Sequence, residues 1–181
     1  MNKKLRLVVT AECHNKCPMC CNNRIDLAAL PVVDRWNYDE IMITGGEPLT
    51  HCVDVLCLIE AIRSICRASG WESMIYVYTA IPSVFSTRNT ILASDGIVAT
   101  PHTRADLERF CSLNKALLNR QYEAYGKSLR LNLFPEVRSW LPKDIDLSLW
   151  KIKEMEWMKD CPVPDGEDLR RINTLFARRN P

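Results

Sequence analysis

Short apolar runs alternate along this chain with longer stretches whose apolar residues recur at helical spacing. Leu5 to Thr10, with Leu7, Val8 and Val9, has the continuous β-branched character of a strand buried on both faces. Glu40 to Thr44, around Ile41, Met42 and Ile43, predicts a second strand that ends at Gly45-Gly46. Between His51 and Ser69, Val55, Leu56, Ile59, Ile62 and Cys66 lie on one helical face, and Gly70 supplies a left-handed stop. Met74 to Thr79 and Ile97 to Thr100 predict the third and fourth strands. Thr103 with Asp106 reads as an N-cap with an acidic third position, opening a helix through Leu107, Phe110, Leu117 and Leu118 to about Gly126. Leu129 to Phe134 predicts a fifth strand and Ile152 to Trp157 a weaker sixth, with Pro135 to Leu149 irregular between them. Asp165, followed by Leu169, Ile172, Leu175 and Phe176, predicts a closing amphipathic helix over 165–179.

Six strands separated by helical stretches imply a parallel sheet with right-handed crossovers. Six units in 181 residues leave about 30 each, the size of a βαβ unit, whereas a closed eight-stranded barrel takes about 250 residues. The expected fold is therefore α/β, a partial, laterally open (β/α)6 TIM-like barrel. One domain over 1–181, with its core at about 4–158, accounts for the chain, and no internal repeat or linker interrupts it.

Composition narrows the function classes. The 24 basic and 22 acidic residues leave a net charge of +2, which argues against a protein built to coat nucleic acid or an anionic membrane. No run approaches the roughly 18 apolar residues of a membrane helix, and the apolar stretch at the start ends at Glu12, too short for a signal-peptide core. The nine cysteines cannot all pair, so the thiols are expected to be free or metal-bound in a reducing cytoplasm. Cys21, Cys52, Cys57, Cys66, Cys111 and Cys161 are expected to pack as small apolar residues.

In parallel α/β folds the reactive groups sit on loops at the carboxyl ends of the strands. Here the first such loop holds Cys13, Cys17 and Cys20, and the second Gly45, Gly46, Glu47 and Pro48. Thr79 follows the third strand, and Thr100 and His102 the fourth. Three thiolates in eight residues suit an iron–sulfur cluster with one iron left open. The rival is a structural zinc held by Cys17 and Cys20 with Cys13, His14, Cys21 or His51 completing the set, which the lack of a second CxxC or His pair elsewhere weakens. The Gly-Gly pair either ends a strand sharply or lets backbone approach a ligand, and Glu47 adds an anion suited to an ammonium group.

Taken together, Thr10-Ala-Glu-Cys13-His-Asn-Lys-Cys17-Pro-Met-Cys20 after the first strand and Thr44-Gly-Gly-Glu-Pro48 after the second resemble the radical S-adenosylmethionine superfamily. The resemblance implies that Cys13, Cys17 and Cys20 ligate a 4Fe-4S cluster whose fourth iron is chelated by S-adenosylmethionine. It implies further that Gly45, Gly46 and Glu47 hold the methionine amino group, with Pro48 stiffening the exit. Met19 takes a position near the adenine, Thr79 resembles the threonine of a Thr-Asn-Gly turn, and Thr100, Asn132, Glu156 and Trp157 stand where members contact the nucleoside. The implied reaction is reductive cleavage to methionine and a 5′-deoxyadenosyl radical that abstracts hydrogen from substrate, a protein loop or a nucleotide-like molecule. Lys16 and Arg24 flank the cysteine loop and would steer an acidic electron donor such as a flavodoxin or ferredoxin, while Arg170, Arg171, Arg178 and Arg179 read as a solvated basic face. A non-catalytic metal-binding adaptor is the alternative from a different class.

Overall fold

The computed structural model describes residues 3–17, 20–157 and 162–177. Seven strands form its one sheet: β1 (Lys4–Thr10), β2 (Glu40–Gly45), β3 (Met74–Thr79), β4 (Gly96–Ala99), β5 (Ser128–Leu133), β6 (Lys151–Glu154) and β7 (Glu167–Phe176). Their order is β6-β5-β4-β3-β2-β1-β7 and every pairing is parallel, in an open sheet with β6 and β7 at its two edges. The connections carry α1 (Cys52–Ala68), α2 (Val84–Ala93), α3 (Arg104–Asn119), α4 (Gln121–Ala124) and α5 (Pro135–Ser139). Because strands one to six lie side by side in chain order, right-handed crossovers put these helices on one face. Among the described residues no helix is long and apolar enough to cross a membrane.

Two-residue alternation explains the core. On β1 to β5 the residues facing the helices are Leu5, Leu7, Val9, Ile41, Ile43, Ile75, Val77, Ile97, Ala99, Leu129, Leu131 and Leu133, all buried. They meet Val55, Ile59 and Ile62 of α1 and Leu107, Phe110, Leu113 and Leu117 of α3. Helix α1 ends as its glycine predicts: Gly70 adopts φ +66°, and Trp71 N–H reaches Cys66 C=O at 2.9 Å. Sequence analysis assigned no helix over α2, because its buried face carries Thr87 and Thr90, whose hydroxyls bond back to Ser83 and Ser86 carbonyls. The stretch expected to be irregular contains α5 and leads into a buried anchor, Trp150. Its ring meets Phe110 edge-on at 4.9 Å, and its N–H donates to Asn114 Oδ1 at 2.9 Å.

The end of the chain departs from expectation. In place of an amphipathic helix over 165–179, β7 pairs with β1, in register from Lys4 opposite Glu167 to Val8 opposite Arg171. The register then slips, so that Thr10 faces Phe176; this irregular strand puts Leu169, Ile172 and Leu175 three apart, which mimics a helix in sequence. The physical cause lies elsewhere in the fold: without β7, the apolar β1 would be an edge with unpaired backbone groups. Arg6 to Glu167 at 2.6 Å, Tyr38 Oη to Asp168 at 2.7 Å and Thr10 Oγ1 to the Phe176 carbonyl at 2.8 Å hold it there. Arg170 and Arg171 therefore belong to a strand, while Arg178 and Arg179 lie outside the described residues.

Candidate functional site

The loop after β1 is clamped at its start by the Gly-Gly turn. Gly46 N–H donates to Thr10 C=O at 2.7 Å and Glu47 N–H to Glu12 C=O at 2.6 Å. A Cβ on Gly46 would lie 2.0 Å from the Glu12 oxygen, and one on Gly45, where φ is +132°, 2.3 Å from the Thr10 oxygen. Both glycines thus let one stretch of backbone lie against another, a use distinct from the ligand approach that sequence alone suggested. Asn22 closes the loop's far end by donating to the Gly45 carbonyl at 3.0 Å.

Glu47 is fully buried and faces inward. Its Oε1 accepts from Leu49 N–H at 3.0 Å and from Thr79 Oγ1 at 2.9 Å, and its Oε2 from Ala80 N–H at 2.6 Å. Burial pushes its carboxyl above the ordinary range against the pull of these donors. Thr79 in turn accepts from Ile81 N–H at 2.8 Å. Ile81 holds φ +64°, a conformation costly for a β-branched residue, so this turn keeps a glycine-like shape without a glycine.

A second buried carboxylate was legible in sequence only as a helix cap. Asp106 forms the predicted capping box with Thr103, and it also accepts from Asn15 Nδ2 at 2.7 Å, contacts His14 Nε2 at 3.1 Å and receives Arg109 Nη2. Burial pushes this carboxyl up, but the bonds from His14, Asn15 and the helix start outweigh it and hold it below the ordinary range. Arg109 Nε continues to the Ile81 carbonyl at 2.6 Å. Cysteine loop, Asp106, Arg109, Ile81, Thr79 and Glu47 therefore form a ring of hydrogen bonds that returns to the loop.

Against the cysteine loop, Glu47 and Thr79 of this ring lies a cavity of about 330 Å³, at the lower end of the roughly 300–1,000 Å³ of small-molecule sites. Cys13, Cys17 and Cys20 line one side, with Gly45, Gly46, Glu47 and Thr79 beside them. Thr100 and Asn132 line the far wall, bonded to each other at 3.1 Å, next to Glu156 and Trp157. His102 caps nothing with its ring. It stacks on Trp157 at 5.5 Å, which stacks on Phe134 at 4.1 Å, and burial pushes its pKa down. Its Nδ1 is buried without a partner among the described residues. Pro48 is buried at the start of the turn that leads into α1, and Met19 and Cys161 lie outside the described residues.

Burial, then the neighbouring Cys20 and Cys13, pushes the Cys17 thiol up to about 11, and burial raises Cys13 as well. Among the described residues no three His, Cys, Asp or Glu side chains converge on a single metal ion. Three sulfur donors around one cavity fit a larger sulfur-bridged group on donor chemistry. Two other cysteines correct expectation: Cys57 is exposed on the outer side of α1, and Cys21 is held in a disulfide. No protein-family model matches the chain, and no curated protein matches it.

Proposed function

We propose that the chain is a radical S-adenosylmethionine enzyme on a partial TIM-like barrel, with Cys13, Cys17 and Cys20 holding a 4Fe-4S cluster. The observation that carries the reading is one cavity, at the carboxyl ends of parallel strands, lined both by all three thiols of a Cys-x3-Cys-x2-Cys loop and by Gly45-Gly46-Glu47. When bound, the cluster would supply the electron that splits S-adenosylmethionine into methionine and a 5′-deoxyadenosyl radical able to take hydrogen from substrate.

This chain's residues supply the setting. The clamp of Gly46 and Glu47 on Thr10 and Glu12 fixes where the loop starts, and Asp106 fixes its middle through His14 and Asn15. Glu47, held by three donors, shapes the turn whose backbone would meet the amino acid end of the ligand. Thr100 and Asn132 offer hydroxyl and amide to a sugar, while Phe134 and Trp157 form an apolar wall that excludes water. Exposed Lys16 and Arg24 flank the loop where an acidic flavodoxin or ferredoxin would approach in a reducing cytoplasm.

Anaerobic reconstitution with iron and sulfide tests the proposal. A brown protein with about four irons per chain, whose spectrum shifts on adding S-adenosylmethionine and which releases deoxyadenosine under reductant, is expected. Cys17→Ala should abolish release while leaving the sheet folded. A colourless protein retaining one zinc overturns the reading in favour of the adaptor.

A further inference from the structure

The sheet's second face, free of helices, carries the residues that alternate with the core. From β1 to β5 these are Arg6, Val8, Met42, Tyr76, Tyr78, Val98, Arg130 and Asn132. Arg6, Val8, Tyr78 and Asn132 also line the cavity, so this face runs on from its floor. Side chains opposite one another across a parallel pair share a face, which places Lys151 beside Arg130 and Lys153 beside Asn132.

Two acids of this face are already engaged. Glu167 binds Arg6 at 2.6 Å and Glu40 binds Lys4 at 3.3 Å. Arg130, Lys151 and Lys153 have no carboxylate partner among the described residues. Arg130 is also pre-positioned: its guanidinium lies over the buried Tyr76 ring at 4.6 Å and its Nε donates to Ser128 Oγ at 3.1 Å. Its terminal nitrogens are left to a ligand. Arg130 sits two residues below Asn132, about 7 Å along the strand. A molecule of modest size could reach from the cavity to the guanidinium.

We infer that the helix-free face below the cavity binds a small acidic molecule, anchoring its carboxylate or phosphate on Arg130 with Lys151 and Lys153 beside it. Calling that molecule the substrate rests on the function proposed above; the anion site itself does not. Three cations without a carboxylate partner among the described residues stand side by side on β5 and β6, so their fields add at this edge.

Metal-free protein is titrated with inorganic phosphate and, separately, with succinate, following the Arg130 side-chain N–H by NMR. A saturable shift is expected with at least one of the two; phosphate alone marks a phosphorylated ligand and succinate alone a carboxylate. Arg130→Gln should weaken binding about tenfold or more, and Lys151→Gln and Lys153→Gln about two- to threefold each with a shallower salt dependence. Arg130→Lys, which keeps the charge and the ring contact but loses the fork, should fall between. It also keeps the test open if the glutamine variant fails to fold. Arg67→Gln, on the solvent side of α1, should bind as wild type. Replacing Cys13, Cys17 and Cys20 together by Ser should leave anion binding intact, so that failure of the cluster reading and failure of this one are separable. Binding unchanged in Arg130→Gln, or equally weakened in Arg67→Gln, overturns the inference. So does a glutamate-rich peptide that shifts the Ile152 backbone amide of edge strand β6 while phosphate and succinate leave Arg130 unmoved.

Discussion

Gly46→Ala is the sharpest test of how the cysteine loop is held. The new methyl would sit 2.0 Å from Glu12 O, 2.6 Å from Glu12 C and 2.8 Å from Ala11 O, where ordinary contact begins at 3.4 Å. All three are backbone atoms, so no side chain can swing aside and the loop must move by more than 1 Å. That movement breaks the bonds from Gly46 to Thr10 and from Glu47 to Glu12. Two net hydrogen bonds at about 0.5–1.5 kcal/mol each, plus buried groups left unpaired, predict a loss of about 2–4 kcal/mol. For a chain of this length that is roughly 5–15 °C in melting temperature. Gly70→Ala is the control: its φ of +66° costs a methyl about 1–2 kcal/mol, but nothing lies within 4 Å of it. Urea unfolding followed by far-UV circular dichroism and by tryptophan fluorescence measures both variants, with alkylation rates at Cys13 and Cys17 reporting on the loop itself. The argument fails if Gly46→Ala unfolds within 0.5 kcal/mol of wild type, or if it loosens the cysteines no more than Gly70→Ala does.

Two further substitutions probe the buried polar groups. Asp106→Asn weakens the bonds to His14 and Arg109, with an expected cost of about 2–3 kcal/mol because both partners are partly exposed, and alkylation of Cys13 and Cys17 should quicken in the folded protein. His102→Phe keeps the stack on Phe134 and Trp157 but removes a buried nitrogen that lacks a partner, so stability at neutral pH should hold or rise by about 1 kcal/mol. The same variant carries a pH signature. The folded-state pKa of His102 lies below its ordinary 6.5, so unfolding takes up a proton. The stability this imidazole contributes is complete above pH 6.5 and is lost as the pH falls below it. Urea midpoints measured from pH 7.5 down to 5 should therefore fall less steeply in His102→Phe than in wild type, and equal slopes would show that His102 is not the group responsible.

Much of this protein is local and therefore written in residue order. Strands β1 to β4 follow from short apolar, mostly β-branched runs and β5 from its alternating leucines, α1 from its helical stripe and Gly70, and the start of α3 from Thr103 and Asp106. The three cysteines and the Gly-Gly-Glu turn were legible for the same reason, since each motif lies within a dozen residues and follows a recognisable strand. The tertiary structure decided what depends on distant partners. Residues 167–176 are a strand because β1 has an edge to fill, although their own apolar spacing is helical. Asp106 is more than a cap because the loop that carries His14 and Asn15, more than 90 residues away, is folded onto it. Arg130, Lys151 and Lys153 share one unpaired face because β5 and β6 align in parallel register. Local patterns fix most of the elements, whereas long-range pairing decides the last strand and which charges and edges remain unsatisfied, and those leftovers can be seen only once the sheet is assembled.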